Sequence, residues 1–213
     1  MYPIILEQLS PEVALWIPDA PAVKPVFEKL KLQEPNLPFP FWAKIWASSR
    51  AMVAFLQEEP NWIENKHVLE IGAGIGFPSF SIAHKANSII ISDYDWEAIS
   101  LANKNIANLN ITNVVAKVLD WNHMPEHINA DTILLSDTNY EPAAHNNLAL
   151  LIDKFINEGS TIILATPNRL SSNPFIEKLS AYIHKTKKIR VAGEETEIAI
   201  FILKNKSSSS LLT

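Results

Sequence analysis

Three of the five glycines in this 213-residue chain stand in alternation at Gly72, Gly74 and Gly76. They follow the short apolar run His67 to Ile71 and open a segment of helical pattern. A tight strand-to-helix turn needs one or two glycines. Three in alternation imply a loop whose backbone approaches a ligand closely and aims free N–H groups at it. The spacing narrows the ligand: a dinucleotide fingerprint wants a glycine at relative position six, which here is Phe77. No Gly-Lys-Ser/Thr follows, so a Walker-type phosphate loop fails as well.

Electrostatics narrows it further. Glu70, Asp93, Asp120 and Asp137 each fall at or just after the C-terminal end of a predicted strand, where open α/β sheets bind ligands. Any one of these acids is as readily a helix cap or a solvated side chain. Four at matching positions predict one acidic cleft. Such a field repels a pyrophosphate and suits S-adenosylmethionine, which carries an ammonium, a sulfonium and two ribose hydroxyls against one carboxylate.

The run His123-Met124-Pro125-Glu126-His127 matches a zinc-peptidase signature letter for letter, but that signature requires both histidines on one helical face. Pro125 removes a helical hydrogen bond inside that turn. No metal is expected. The chain has no cysteine, which excludes disulfides, thiolate metal sites and cysteine nucleophiles and is compatible with a reducing cytoplasm. A net charge of -5 and a pI of about 5.7 provide no general basic field, so no nucleic-acid partner is expected. No apolar stretch approaches the ~20 residues of a membrane span. The expectation is a soluble, cytoplasmic protein of unstated oligomeric state.

The elements that must position these residues alternate. Extended runs are predicted at His67 to Ile71, Ser88 to Ser92, Val114 to Leu119, Asp131 to Ser136 and Thr161 to Ala165. Helices are predicted at Phe77 to Lys85, Glu97 to Leu109 and Ala143 to Ile156, and one more from Trp42 to about Gln57. Lys187 to Val191 and Thr196 to Leu203 are joined by Gly193-Glu194-Glu195, too short for a helical crossover, and form an antiparallel hairpin. The fold class is α/β: a Rossmann-like, seven-stranded, mostly parallel sheet with helices on both faces, a C-terminal antiparallel hairpin, and an N-terminal Pro-rich arm and helix. Eight of the fourteen prolines precede position 41 and predict turns and short extended pieces there rather than long helices. The expected division is an arm over 1–40, a domain over 41–204 and a disordered tail over 205–213. An arm folded over the strand ends would govern water exclusion and acceptor access.

Val68-Leu69-Glu70-Ile71-Gly72-Ala73-Gly74-Ile75-Gly76 resembles the first motif of class I methyltransferases, and Ser92-Asp93-Tyr94-Asp95 their acidic end of strand two. With Trp42-Ala43-Lys44-Ile45-Trp46 upstream and Asp137-Thr138-Asn139-Tyr140 downstream, the chain resembles the seven-β-strand protein-lysine methyltransferases. Within these the likeness is to the electron-transfer-flavoprotein β-subunit lysine methyltransferase and nicotinamide N-methyltransferase-like proteins, over roughly Phe39 to Arg169. The resemblance implies that Glu70, Gly72 and Gly74 line the methionine end of S-adenosylmethionine, that Asp93 takes the ribose hydroxyls, and that Asp120 with Trp121 holds adenine, with Tyr94 a further cofactor-binding residue. Trp46 would lie against the cofactor. Asp137 and Tyr140 would match the family's Asp-x-x-Tyr element beside the methyl group, as catalytic residues. Trp42 and Arg169 would meet the substrate, although the related enzymes show Asp-Pro-x-Arg where this chain has Thr166-Pro167-Asn168-Arg169.

The first reading is therefore an S-adenosylmethionine-dependent N-methyltransferase acting on a protein lysine; a small-molecule amine or aromatic nitrogen is the alternative, because fold physics does not separate the two. From another class, the chain would be a cofactor- or partner-binding module without catalysis. Thr138-Asn139-Tyr140-Glu141-Pro142 faintly resembles the Asn-Pro-Pro-Tyr loop of adenine methyltransferases, but lacks both of its prolines.

Overall fold

The computed structural model describes residues 2–169, 172–194 and 196–205. A hairpin of β1 (Ile4–Ser10) and β2 (Val13–Pro18) comes first, then helix α1 (Ala20–Lys31) and, after a 3-10 turn at Phe41–Ala43, helix α2 (Ala47–Glu58). The alternating part follows as β3 (His67–Ile71), α3 (Phe77–Ile82), β4 (Ser88–Asp93), α4 (Trp96–Leu109), β5 (Val114–Val118), β6 (Thr132–Ser136), α5 (His145–Asn157) and β7 (Thr161–Pro167). Helix α6 (Asn173–Lys178), β8 (Ile183–Ile189) and β9 (Ile198–Leu203) complete it.

The seven-stranded sheet has the order β5-β4-β3-β6-β7-β9-β8. β3 to β7 are parallel, and β9 is antiparallel to both β7 and β8. The parallel strands are covered on both faces, which is why Val68-Leu69, Ile133-Leu134-Leu135 and Ile162-Ile163-Leu164 are unbroken apolar runs. On one face Met52, Phe55 and Leu56 of α2, Phe80 of α3 and Ala102 of α4 pack with Val68 and Ile91. On the other, Leu148, Ile152 and Phe155 of α5 and Phe175 of α6 pack with Leu69, Ile71 and Ile133. Strand order reverses at β3, whose neighbours are β4 and β6. The crevice beyond the C-terminal ends of those strands is the ligand position of an open α/β sheet.

The N-terminal region is more ordered than its prolines predict. It holds two strands and a 12-residue helix, with Pro21 in the first turn, where a missing N–H costs nothing, and Pro25 inside. Leu15, fully buried, joins the core beside α2 and α4, and Asn105 of α4 accepts from the Trp16 N–H and donates to its carbonyl, at 2.8 and 3.0 Å. The hairpin is therefore docked on a helix face, not draped across the strand ends. The helix expected from Trp42 begins only at Ala47, because Lys44 is extended (φ -129, ψ 141) and carries the chain over the glycine loop. The expected tail lies, from residue 206 onward, outside the described residues, as does Glu195 of the hairpin link.

Candidate active site

The glycine loop is braced by the protein itself. The Ala73 N–H donates to the Ser92 carbonyl at 2.9 Å, Gly76 N–H to the Ala73 carbonyl at 2.8 Å, and Gly74 N–H to Asp93 Oδ2 at 2.8 Å. These three donors are spent on shaping the turn and are not free to point at a ligand. The need for glycine has separate causes. At Gly74 (φ +54) a Cβ would stand 3.0 Å from the Trp42 carbonyl oxygen, so this glycine makes room for the Trp42 backbone. At Gly72 (φ +62) a Cβ would meet Thr138 Cγ2 at 3.1 Å and the Trp121 ring at 3.4 Å, on the cavity wall.

Asp93 ends β4 with its carboxylate buried, Oδ2 accepting from Gly74 and Oδ1 from the Asp95 N–H at 3.0 Å. Burial pushes its carboxyl up, against those hydrogen bonds. Glu70 does not reach the crevice. It is fully buried and accepts at Oε2 from the Ser79 N–H (3.1 Å) and hydroxyl (2.5 Å), while Oε1 has no partner. Gly76, at the N-cap of α3, has no side-chain acceptor, so Glu70 serves the third residue of that helix in its place. Desolvation raises the Glu70 carboxyl to about 7, outweighing the Ser79 hydrogen bonds.

Beyond β3, β4, β5 and β6 opens a cavity of about 700 Å³. Gly72, Gly74, Asp93, Tyr94, Asp120, Trp121, Asp137, Tyr140, Trp42, Trp46 and Arg169 all line it, so the sequence-predicted site residues meet in one place, Glu70 excepted. Among the described residues none before Phe41 lines it, so the arm does not cover it. Asp120 faces the cavity but its carboxylate is engaged by the Asn122 N–H at 2.9 Å and by His123 Nδ1 at 2.8 Å, and those bonds hold it below the usual range.

Asp137, after β6, is left-handed (φ 58), and both of its oxygens are bound by Arg169, from the segment after β7, at 2.8 and 3.2 Å. Burial pushes this carboxyl up and the guanidinium opposes it. Tyr140 is half-exposed at the mouth, its ring 5.5 Å from that of Phe41. Trp46 donates Nε1–H to the Phe41 carbonyl at 3.0 Å, which folds Phe41 to Trp46 into a short rim.

Sequence reasoning missed Phe41, Lys44, Ser136, Thr138, Glu141 and Asn147 among the lining residues. Ser136 and Thr138 flank Asp137 directly, and their buried hydroxyls have no partner among the described residues. Adjacency to a strand-end acid was the available signal. His123 and His127 do not stand in a metal-competent cluster among the described residues.

A family model described as lysine methyltransferase matches residues 27–182. The chain is 25% identical to a protein N-terminal and lysine N-methyltransferase of Cryptococcus neoformans, over 57% of this chain and 46% of that protein. It is 27% identical to the calmodulin-lysine N-methyltransferase of Arabidopsis thaliana, over 58% and 44% of the two. With the electron transfer flavoprotein β-subunit lysine methyltransferase of Danio rerio the figures are 25%, 62% and 52%. The chain spans about half the length of these curated relatives. Among solved structures it is similar to a tRNA uracil C5-methyltransferase of Pyrococcus abyssi in complex with S-adenosyl-L-homocysteine, with TM-score 0.60 and 15% identity over 94% of this chain and 44% of that one. It is also similar to the N-methyltransferase NodS of Bradyrhizobium japonicum, with TM-score 0.59 and 15% identity over 74% and 97%. These last two likenesses establish the Rossmann-like fold.

Proposed function

The chain belongs to the lysine methyltransferase family, and from that premise we propose that it methylates the side-chain amine of a lysine in a protein. It is a methyltransferase, and its cofactor is S-adenosylmethionine. The observation that carries the acceptor reading is the meeting of Asp137 and Tyr140 with Gly72 and Asp93 in one cavity.

The residues present fit that cofactor. Gly72 has no side chain to obstruct the wall, Asp93 is oriented by two backbone donors yet keeps lone pairs for hydroxyls, and the unpartnered hydroxyls of Ser136 and Thr138 await polar partners. In our reading Asp93 takes the ribose, with Tyr94 at its edge, and Trp121 packs on adenine beside the turn that Asp120 caps. Trp46 lies against the methionine end, and Glu70 supports it at a distance by fixing the start of α3. When bound, the sulfonium supplies an electrophilic methyl group whose in-line displacement needs no covalent enzyme intermediate.

The chain's remaining task is to align an amine and exclude water. Asp137 orients the incoming ammonium through its free lone pairs, because Arg169 already holds both oxygens and disfavours protonation there. The amine loses its proton to water at the open mouth before attack. Tyr140, Phe41 and Trp42 flank the alkyl chain, and an alkylated cation gains about 0.5 to 2 kcal/mol against such rings.

A nucleic-acid acceptor gains no exclusion from these likenesses, since several proteins of this fold are RNA methyltransferases by name. Among the described residues no helix is long and apolar enough to cross a membrane. The test is calorimetric titration with S-adenosylhomocysteine beside NAD, on wild type and Asp93→Ala, followed by transfer of labelled methyl into fractionated lysate. Selective binding that weakens in the variant, with protease-sensitive label, supports the reading. Label that survives protease but not ribonuclease, or that stays in the small-molecule fraction, would overturn the protein acceptor.

A further inference from the structure

We infer that Lys44 is an intramolecular methyl acceptor, so that the chain methylates itself at the mouth of its own active site. This rests on the lysine-methyltransferase reading above and adds a modification site to it. Lys44 lines the same cavity as Gly72, Asp93, Asp137 and Tyr140, and it is exposed. Its backbone is extended, between the 3-10 turn at Phe41–Ala43 and the Trp46 N-cap of α2. Its neighbour Ile45 packs on the core, so the alternation of an extended chain turns Lys44 outward to the crevice.

The ammonium rests on the Trp46 ring, 4.6 Å from its centroid, and no carboxylate is ion-paired to it among the described residues. Trp46 is followed by Phe41 at 6.3 Å and Phe41 by Tyr140 at 5.5 Å, so the amine stands one aromatic rim away from the proposed acceptor slot. The charges of the lining draw it inward. Asp93, Asp120, Asp137 and Glu141 face two cations, Lys44 and Arg169, and Arg169 is already committed to Asp137. A site that attracts a lysine from another protein meets this tethered one at a far higher effective concentration.

The step balances without a further reactant. Lys44 Nζ loses a proton to water, then attacks the methyl carbon; the N–C bond forms as the S–C bond breaks, and the electron pair stays on sulfur in the released thioether. The product keeps its positive charge and is less strongly hydrated, which favours its return to the Trp46 face. While Lys44 occupies the slot it competes with an external acceptor.

The experiment incubates the purified full chain with methyl-labelled S-adenosylmethionine and no added acceptor, then maps label by peptide mass, with S-adenosylhomocysteine binding measured on every variant. Expected are label on Lys44, a fractional rate unchanged by dilution, its loss in Lys44→Arg, and a drop of about 10²-fold in Asp137→Asn from lost alignment. The inference is overturned if S-adenosylhomocysteine binds but Lys44 stays unlabelled, if Lys44→Arg takes up as much label, or if the fractional rate rises with protein concentration. Absence of S-adenosylhomocysteine binding to the folded wild type would instead remove the methyltransferase reading on which it rests.

Discussion

Arg169 holds Asp137 through both carboxylate oxygens, Nη1 to Oδ1 at 2.8 Å and Nη2 to Oδ2 at 3.2 Å, across the ends of two neighbouring strands. The pair is lopsided: the Asp137 side chain is 8% exposed and that of Arg169 35%. Asp137 cannot turn away, since its left-handed backbone is fixed by its own N–H donating to the Ala165 carbonyl at 2.8 Å. The guanidinium is the partner with access to water.

Removing the two partners therefore has unequal consequences. Arg169→Leu strands a buried carboxylate and is expected to cost about 1 to 3 kcal/mol, the upper end discounted because the arginine is partly solvated. Asp137→Asn leaves an arginine that water can solvate and costs about 1 kcal/mol or less, while impairing turnover more. Without the guanidinium the Asp137 carboxyl rises further, so the Arg169→Leu deficit is larger at neutral than at acidic pH. Urea midpoints at both pH values decide it. A larger loss for Asp137→Asn would contradict the asymmetry.

Glu70 makes stability depend on pH in the opposite direction to a salt-bridged acid. Its carboxyl is at about 7 in the folded chain and 4.5 in its ordinary state, so between those values the folded chain keeps a proton that the unfolded chain releases. Stability from this group is complete below pH 4.5 and is lost as pH rises through about 7, by about 3 kcal/mol in all. Glu70→Gln retains an acceptor for the Ser79 N–H and removes the titration. The expected result is a flatter dependence of Tm on pH between 5 and 8; an unchanged slope would place the titration elsewhere.

The parallel sheet was legible because its strands are apolar runs closed by acids or glycines. Glu70 was misplaced by counting strand ends without alternation: it shares the face of Val68, under α3, rather than the crevice. The arm was misread because Pro21 occupies a helix position where proline is harmless, and because the group that docks β2 on the domain, the Asn105 amide, is 89 residues away. The start of α2 was hidden by tertiary demand, since Trp42 to Trp46 must pass over Gly74. Strand β8 begins at Ile183 rather than Lys187; as a sheet edge rich in exposed lysine it carries no apolar run to announce it. Lys44 stood in a quoted motif, yet nothing in its spacing distinguishes a cavity-lining lysine from a solvated one.

Gly74 separates backbone strain from crowding. Gly74→Ala imposes a left-handed alanine, about 1 kcal/mol, and drives its Cβ toward the Trp42 carbonyl, so a total loss of about 2 kcal/mol and weaker S-adenosylhomocysteine binding are expected. Gly159→Ala has a positive φ of 97 but no atom within 4 Å and reports strain alone. Equal losses in denaturant titrations of the two variants would mean that the approach of Trp42 is not what demands glycine.

The N-terminal hairpin is held by a side-chain amide acting as a strand neighbour. Asn105, fully buried on α4, pairs with both the N–H and the carbonyl of Trp16, and Lys104 lies over the Trp16 ring at 4.4 Å. Asn105→Ala leaves both Trp16 groups unmatched at a partly buried position, at an expected cost of about 1 to 3 kcal/mol. Because Trp16 and Asn105 do not line the cavity, S-adenosylhomocysteine affinity in the folded variant should stay within about twofold of wild type, and the hairpin should become the first site of limited proteolysis. If affinity instead fell in step with stability, the hairpin would have to be coupled to the crevice through α4. Asp95 begins that helix two residues after Asp93 and donates its N–H to the Asp93 carboxylate, so it is the residue whose displacement would carry the effect.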